Sequence, residues 1–188
     1  MISKRSLLLA IPLLAGCAVS QPSFNNRLPD SAVAAAKELA VSRKEPIAIR
    51  WVPGNFPGRV DDQAPSAFGS VTKIKVPIGR ALSERITEVL DSAVGVQGSS
   101  SNVLTITVLD AKSSFHLSGS AALTSAPTMD AATCVFTVNF TYGNKEWQET
   151  FTAQGKTTTT GGQSPSGVLE SAWDNIALQV GRSVVKRL

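Results

Sequence analysis

Apolar residues in this chain recur with two periods, and the switch between them marks the elements. From Ile78 the period is helical. Ile78, Leu82, Ile86, Val89, Leu90, Ala93 and Val94 form one face, and Arg80, Glu84, Arg85, Glu88 and Asp91 occupy the rest. Gly95 stands where a left-handed helix cap belongs. VLTITVL, residues 103–109, alternates instead, with Leu104, Ile106 and Val108 on one side and Thr105 and Thr107 on the other; that is a half-buried strand. CVFTVNFTYGNKEWQETFTA, residues 134–153, holds two alternating runs around Gly143-Asn144, a two-residue hairpin turn. The turn sets a register in which paired residue numbers total 287: Phe140 faces Trp147, Phe136 faces Phe151, Cys134 faces Ala153, Thr137 faces Thr150 and Asn139 faces Gln148. All the aromatics then share one face, so turn and pattern agree. Glu149 is the discord, opposite Val138 on the apolar face. The expectation is a carboxylate near an edge or paired with a basic side chain, with a functional acid as the alternative.

Weaker signals fill in the rest. IAIRWV (47–52) reads as a strand and VTKIKV (71–76) as a short one, with a turn-rich surface loop over 53–70 between them. Asp30 or Ser31 is placed to cap a short alanine-rich helix that Pro46 must stop. Residues 112–130 predict an irregular continuation of the preceding strand and then a loop. GKTTTTGGQSPSG (155–167) reads as a low-complexity loop. A final helix over 165–186 has Pro165 in its first turn and Leu169, Ala172, Trp173, Ile176, Val180 and Val184 along one face. The order strand, helix, strand, strand, strand, helix predicts an α+β fold. Its expected form is an antiparallel sheet of about four strands with two amphipathic helices on one face and a threonine-rich, wet opposite face.

The amino end has a different character. Lys4 and Arg5 precede an uncharged run from Leu7 to Gly16. A bilayer-spanning helix needs about 20 apolar residues, so this run is too short to be one. A positive head, a short apolar stretch and small residues before a cut form an export signal. Leu14-Ala15-Gly16-Cys17 resembles the lipobox of bacterial lipoproteins. That resemblance implies cleavage between Gly16 and Cys17, a diacylglycerol thioether on the Cys17 sulfur and an acyl group on its new amine. Ala18, in place of Asp, implies sorting to the outer membrane with the body in the periplasm. The alternative is an ordinary secreted signal with an incidental cysteine. The expected organisation is a removed signal (1–16), a lipidated cysteine and tether (17–29, with two prolines) and one periplasmic domain (30–188).

Processing changes the charge. The whole chain has 18 Lys and Arg against 14 Asp and Glu, a net +4; loss of Lys4 and Arg5 leaves 16 against 14. That surplus is too small, and too scattered, to point to nucleic acid. At 43% hydrophobic the chain can bury a core. Cys17 and Cys134 are its two cysteines. With lipid on Cys17, Cys134 has no partner within the chain, and its apolar strand predicts a buried thiol; an intermolecular disulfide is the other possibility.

Catalytic and ligand-binding patterns are thin. His116 is the single histidine and has no supporting motif for nucleophilic catalysis. Ser70-Val71-Thr72-Lys73 matches Ser-x-x-Lys, without the companion motifs of penicillin-binding enzymes. Gly155-Lys156-Thr157 echoes the end of a phosphate-binding loop, but Thr150 stands where the first glycine belongs. Asp61-Asp62 lacks further spaced ligands, and one Cys with one His excludes an ordinary zinc site. Asn139-Phe140-Thr141 is a glycosylation sequon in form only. Trp51, Trp147 and Trp173 lie in apolar stripes, which predicts core packing rather than a sugar or peptide platform. No catalytic residue, metal or cofactor is assigned.

The lipobox, the amphipathic helix before VLTITVL, the long hairpin and the terminal amphipathic helix look like the YajG-like group of small outer-membrane lipoproteins. The likeness covers most of residues 47–187 as element order and hydrophobic pattern. It implies a membrane-anchored envelope protein and carries over no catalytic residue. The leading expectation is a non-enzymatic accessory or adaptor, held to the membrane by acyl chains and bound to another envelope protein. One alternative is an auxiliary lipoprotein of lipid or lipopolysaccharide transport with an apolar groove. Another is an enzyme with an unfamiliar site near His116, Glu149 or Asp61.

Overall fold

The computed structural model describes residues 22–40, 45–63, 73–116, 128–159 and 165–188. Its elements are helix α1 (Asp30–Glu38), strand β1 (Ala48–Val52), strands β2 (Asp61–Gln63) and β3 (Ile74–Val76), helix α2 (Ile78–Val94), strands β4 (Val103–His116), β5 (Thr128–Tyr142) and β6 (Lys145–Thr159), and helix α3 (Pro165–Arg187). A single 3-10 turn at Phe56–Gly58 lies in the segment expected as a loop, and β2 pairs antiparallel with β3 just beyond it.

The fold is α+β, built on a four-stranded sheet in the order β1-β4-β5-β6. One feature of the expected sheet needs correction. β1 runs parallel to β4, with Ala48 opposite Val103 and Val52 opposite Thr107, so the sheet is mixed rather than antiparallel. The reason is connectivity: α2 carries the chain back along the sheet, and a strand re-entered through a crossover helix is parallel to the one before it. Backbone bonds from Ile47 N–H to Gly95 O and from Gln97 N–H to Ile47 O tie the end of α2 to the start of β1.

The hairpin follows the predicted register through its whole length, from Tyr142 opposite Lys145 to Thr128 opposite Thr159. Gly143, at φ 58°, supplies the left-handed backbone that the tight turn requires. The strands overrun the forecast at both far ends. Residues 155–159, expected as loop, continue β6, and 128–133 continue β5. Threonine is β-branched and suits a ladder, so the Thr157–Thr159 run extends the sheet instead of ending it.

β4 is one continuous strand whose register with β5 shifts between Val108 and Asp110. The shift reverses which residues face the core. Leu104 and Ile106 are buried before it, and Ala111, Ser113 and Phe115 after it, while Leu109 at the break is 52% exposed. An extra residue in one strand has this effect on a pleat of period two.

α2 and α3 pack against each other, and α3 lies across β5 and β6. Leu82, Ile86 and Leu90 of α2, Trp173, Ile176 and Val180 of α3, and Phe136, Phe140 and Phe151 of the hairpin form one core. α3 approaches β6 closely because Gly155 has no side chain: a Cβ there would overlap the carbonyl oxygen of Val168. On the opposite sheet face Thr141, Gln148, Thr150 and Thr152 are exposed, and the Thr137 and Thr150 hydroxyls bond at 3.0 Å. This is the wet face the alternation predicts. Residues 22–29, expected as part of the tether, lie on the helices: Leu28 is buried, and Phe24 rests 5.4 Å from the Trp173 ring.

Candidate functional site

The lipid-attachment residue Cys17, the cleavage residue Gly16 and the whole signal 1–16 lie outside the described residues. So do Ser70, Val71 and Thr72 of the Ser-x-x-Lys match. The backbone of His116 ends β4 opposite Ala131, and its side chain is outside the described set.

The remaining sequence candidates disperse over the fold. Asp61 pairs with Arg59 through two bonds of 2.9 and 3.0 Å, and the neighbouring Asp62 pairs with Lys75 at 3.2 Å. As adjacent residues of one strand they face opposite sides. Among the described residues no three His, Cys, Asp or Glu side chains group as metal ligands. Gly155, Lys156 and Thr157 lie within β6, not in a loop before a helix. Asn139 donates to Glu146 Oε1 at 2.6 Å. Glu149 faces α3: Ser183 Oγ donates to it at 2.5 Å and Arg187 Nη1 lies 3.4 Å away. The same Arg187 stacks over Trp147 at 5.3 Å. Glu149 therefore sits on an edge strand with a basic partner, and it fastens the end of α3 to the hairpin.

The three tryptophans divide. Trp173 is fully buried, and its Nε1 donates to Ser113 Oγ at 3.0 Å. Trp147 is half-buried and stacks on Phe140 at 4.9 Å, with Nε1 buried and unpartnered. Trp51, half-buried, stacks on Phe56 at 5.5 Å. It also walls a groove of about 470 Å³ with Ser83, Glu84, Thr87, Glu88, Asp91 and Val96. This groove is acidic and fits a small cationic group by charge. Yet each carboxylate already serves the chain itself. Glu84 accepts from Arg80 Nε at 2.7 Å, Glu88 from Leu28 N–H at 3.0 Å, and Asp91 from Val96 N–H at 2.8 Å. They act as helix-surface anchors.

The most unusual electrostatic arrangement is one the helical wheel misplaced. Arg85, expected on the polar face of α2, is only 1% exposed. Its Nε donates to Asp174 Oδ1 at 2.7 Å, its Nη1 to Ala81 O at 3.2 Å and its Nη2 to Asn25 O at 2.8 Å. The guanidinium also lies over the Trp173 ring at 5.4 Å. Arg is the residue for such a position because a planar fork serves several acceptors while stacking on an aromatic face. Asn25 N–H reaches back to Glu170 Oε1 at 2.6 Å. The network thus joins α2, α3 and the segment before α1. Burial pushes the Asp174 carboxyl above its ordinary value, against the opposing hydrogen bond and charge of Arg85, with Glu88 adding a smaller upward push. No local sequence signal marks the pair: Asp174 follows Trp173 on α3 but adjacent helix residues do not share a face, and its partner lies 89 residues away.

Cys134 is buried, as its strand position predicts, and free of any disulfide. Ser113 Oγ contacts its sulfur at 3.6 Å. Burial pushes the thiol up to about 11, with the Ser113 contact opposing. A thiol so placed stays protonated and unreactive at neutral pH. Compared with known proteins, the chain matches no family model and no curated relative.

Proposed function

We propose that the protein is an envelope lipoprotein, anchored by acyl chains on Cys17 to the outer membrane and facing the periplasm. It acts there as a non-enzymatic accessory to another envelope protein. The observation that carries this reading is the order of residues 4–17: a positive head, an uncharged run, a small pair and a cysteine. The resemblance to the YajG-like lipoproteins points the same way. The non-enzymatic part is supported by the fate of the acidic candidates, whose carboxylates each bond the chain's own groups. The lipid-transport alternative draws less support, because Glu84, Glu88 and Asp91 wall the groove beside Trp51 and are a poor lining for acyl chains.

The test is metabolic labelling with an alkyne fatty acid, membrane fractionation and in-cell crosslinking of the wild type and Cys17→Ser. The wild type takes up label, fractionates with the outer membrane and crosslinks to a defined protein, and Cys17→Ser loses the label. An unlabelled wild type removes the anchor. Recovery of monomer alone under varied growth conditions removes the accessory role.

A further inference from the structure

β6 ends the sheet among the described residues. It is 15 residues long, and α3 packs on β5 as well as on β6. Which of its backbone groups point outward follows from the turn. A two-residue hairpin closes on a hydrogen-bonded pair, here Tyr142 and Lys145, and bonded pairs alternate along an antiparallel ladder. The odd-numbered residues of β6 therefore bond to β5. The even-numbered ones, Glu146 to Thr158, turn their N–H and C=O outward. The bond from Gln179 Nε2 to Thr152 O at 3.2 Å agrees, since that carbonyl is available to a side chain at the edge.

We propose that this edge pairs with the same edge of a second copy of the chain, antiparallel about a two-fold axis at Phe151, giving one continuous eight-stranded sheet. The argument is self-complementarity. In a two-fold antiparallel pair the outward groups of each strand must meet outward groups of the other, which restricts the register to steps of the pleat. With the axis at Phe151, Thr150 meets Thr152, Gln148 meets Gln154, and Glu146 meets Lys156, each twice. Like-sized polar residues oppose one another, and the two charged positions oppose with opposite sign. An axis at Thr152 sets Glu146 against Thr158 and Lys156 against Gln148. An axis at Thr150 sets Lys156 against Asn144 and Glu146 against Gln154. Neither matches a charge. An inward-facing charge on an edge strand commonly discourages such pairing. Here that charge, Glu149, is already engaged by Ser183 and Arg187 of its own chain. The Thr152 carbonyl has a second lone pair, so its bond to Gln179 leaves room for a partner N–H.

The test is sedimentation equilibrium of the full chain in density-matched detergent, compared with charge-reversed variants. The wild type forms a dimer. Glu146→Lys or Lys156→Glu alone places like charges opposite one another twice and weakens the dimer by roughly tenfold or more. The two substitutions together restore wild-type association, which a merely destabilising change does not do. Thr150→Pro blocks the dimer and leaves a folded monomer by circular dichroism, because the N–H it removes faces the open edge. A wild type that stays monomeric at every concentration overturns the proposal. So does a dimer indifferent to the single reversals, or one that the double reversal fails to restore.

Discussion

Replacing Arg85 by alanine tests the central electrostatic claim. The side chain is 1% exposed and its guanidinium bonds Asp174 Oδ1, Ala81 O and Asn25 O over the Trp173 ring. Arg85→Ala leaves the Asp174 carboxylate without its cation and the Asn25 carbonyl without this donor, while Ala81 O keeps its helical N–H. Breaking a buried pair from one side costs about 3–5 kcal/mol. For a chain of this size that lowers Tm by roughly 6–20 °C, at about 2–4 °C per kcal/mol. The upward push on Asp174 says more. Its first cause is burial, outweighing the attraction of Arg85. Exchanging a buried pair whole for apolar residues of similar volume removes both desolvation costs along with the attraction, so Arg85→Met with Asp174→Leu should stay within about 1–2 kcal/mol of the wild type. The sign for pH agrees. Between the ordinary value of 3.8 and the raised one, the folded state holds the proton more tightly than the unfolded chain. The contribution of this group accordingly rises as pH falls through that window. The assays are thermal melts and urea titrations of both variants, with trypsin cleavage after Arg27 under native conditions as a local readout. Arg85→Ala frees the segment from its Asn25 contact and speeds that cleavage. An Arg85→Ala cost below about 1 kcal/mol, or a double variant as damaged as the single one, refutes the reasoning.

Two further outcomes follow from packing and burial. Gly155→Ala drives a methyl into the Val168 carbonyl of α3, and neither backbone is free to move; a loss of about 1–3 kcal/mol or more is expected in urea titrations, with Gly98→Ala, where nothing lies within 4 Å, as the mild control. Cys134 is pushed from 9.0 up to about 11 by burial, so its contribution is complete below pH 9 and is lost as pH rises toward 11, by about 2–3 kcal/mol at the limit. Stability titrations across that window should show the slope in the wild type and a flatter one in Cys134→Ala.

Local signals carried much of this fold, and the failures have physical causes. The hairpin was legible because a two-residue turn fixes the register without reference to anything distant, and Phe136, Phe140, Trp147 and Phe151 then had to share a face. The direction of β1 was not legible, because whether a strand joins β4 parallel or antiparallel depends on where α2 crosses the sheet. Arg85 was misplaced because a helical wheel assumes a single buried stripe, whereas α2 is packed by α3 on one flank and approached by residues 25–28 on another. The register shift in β4 hid in VLTITVLD: alternation looks clean up to Val108, and only the later burial of Ala111, Ser113 and Phe115 shows that the phase has changed.

The misread threonine run has its cause in what a hydrophobic period reports. At about 3.3 Å per strand residue and about 1.5 Å per helix residue, the 15 residues of β6 extend about 50 Å and the 23 of α3 about 34 Å. α3 runs along β6 from Val168 over Gly155 to Ser183 at Glu149 and Arg187 at Trp147. Between these contacts the helix covers residues 147–155 of β6. Thr157, Thr158 and Thr159 continue the ladder through the backbone, opposite Asp130, Met129 and Thr128. The hydrophobic period thus reports a buried face, whereas a β-branched run such as Thr157–Thr159 can extend the pairing without that period. Thr150 and Thr152, where the two-copy register is centred, lie inside the covered stretch, so the edge proposed to pair is the part of β6 whose position is braced from behind by α3.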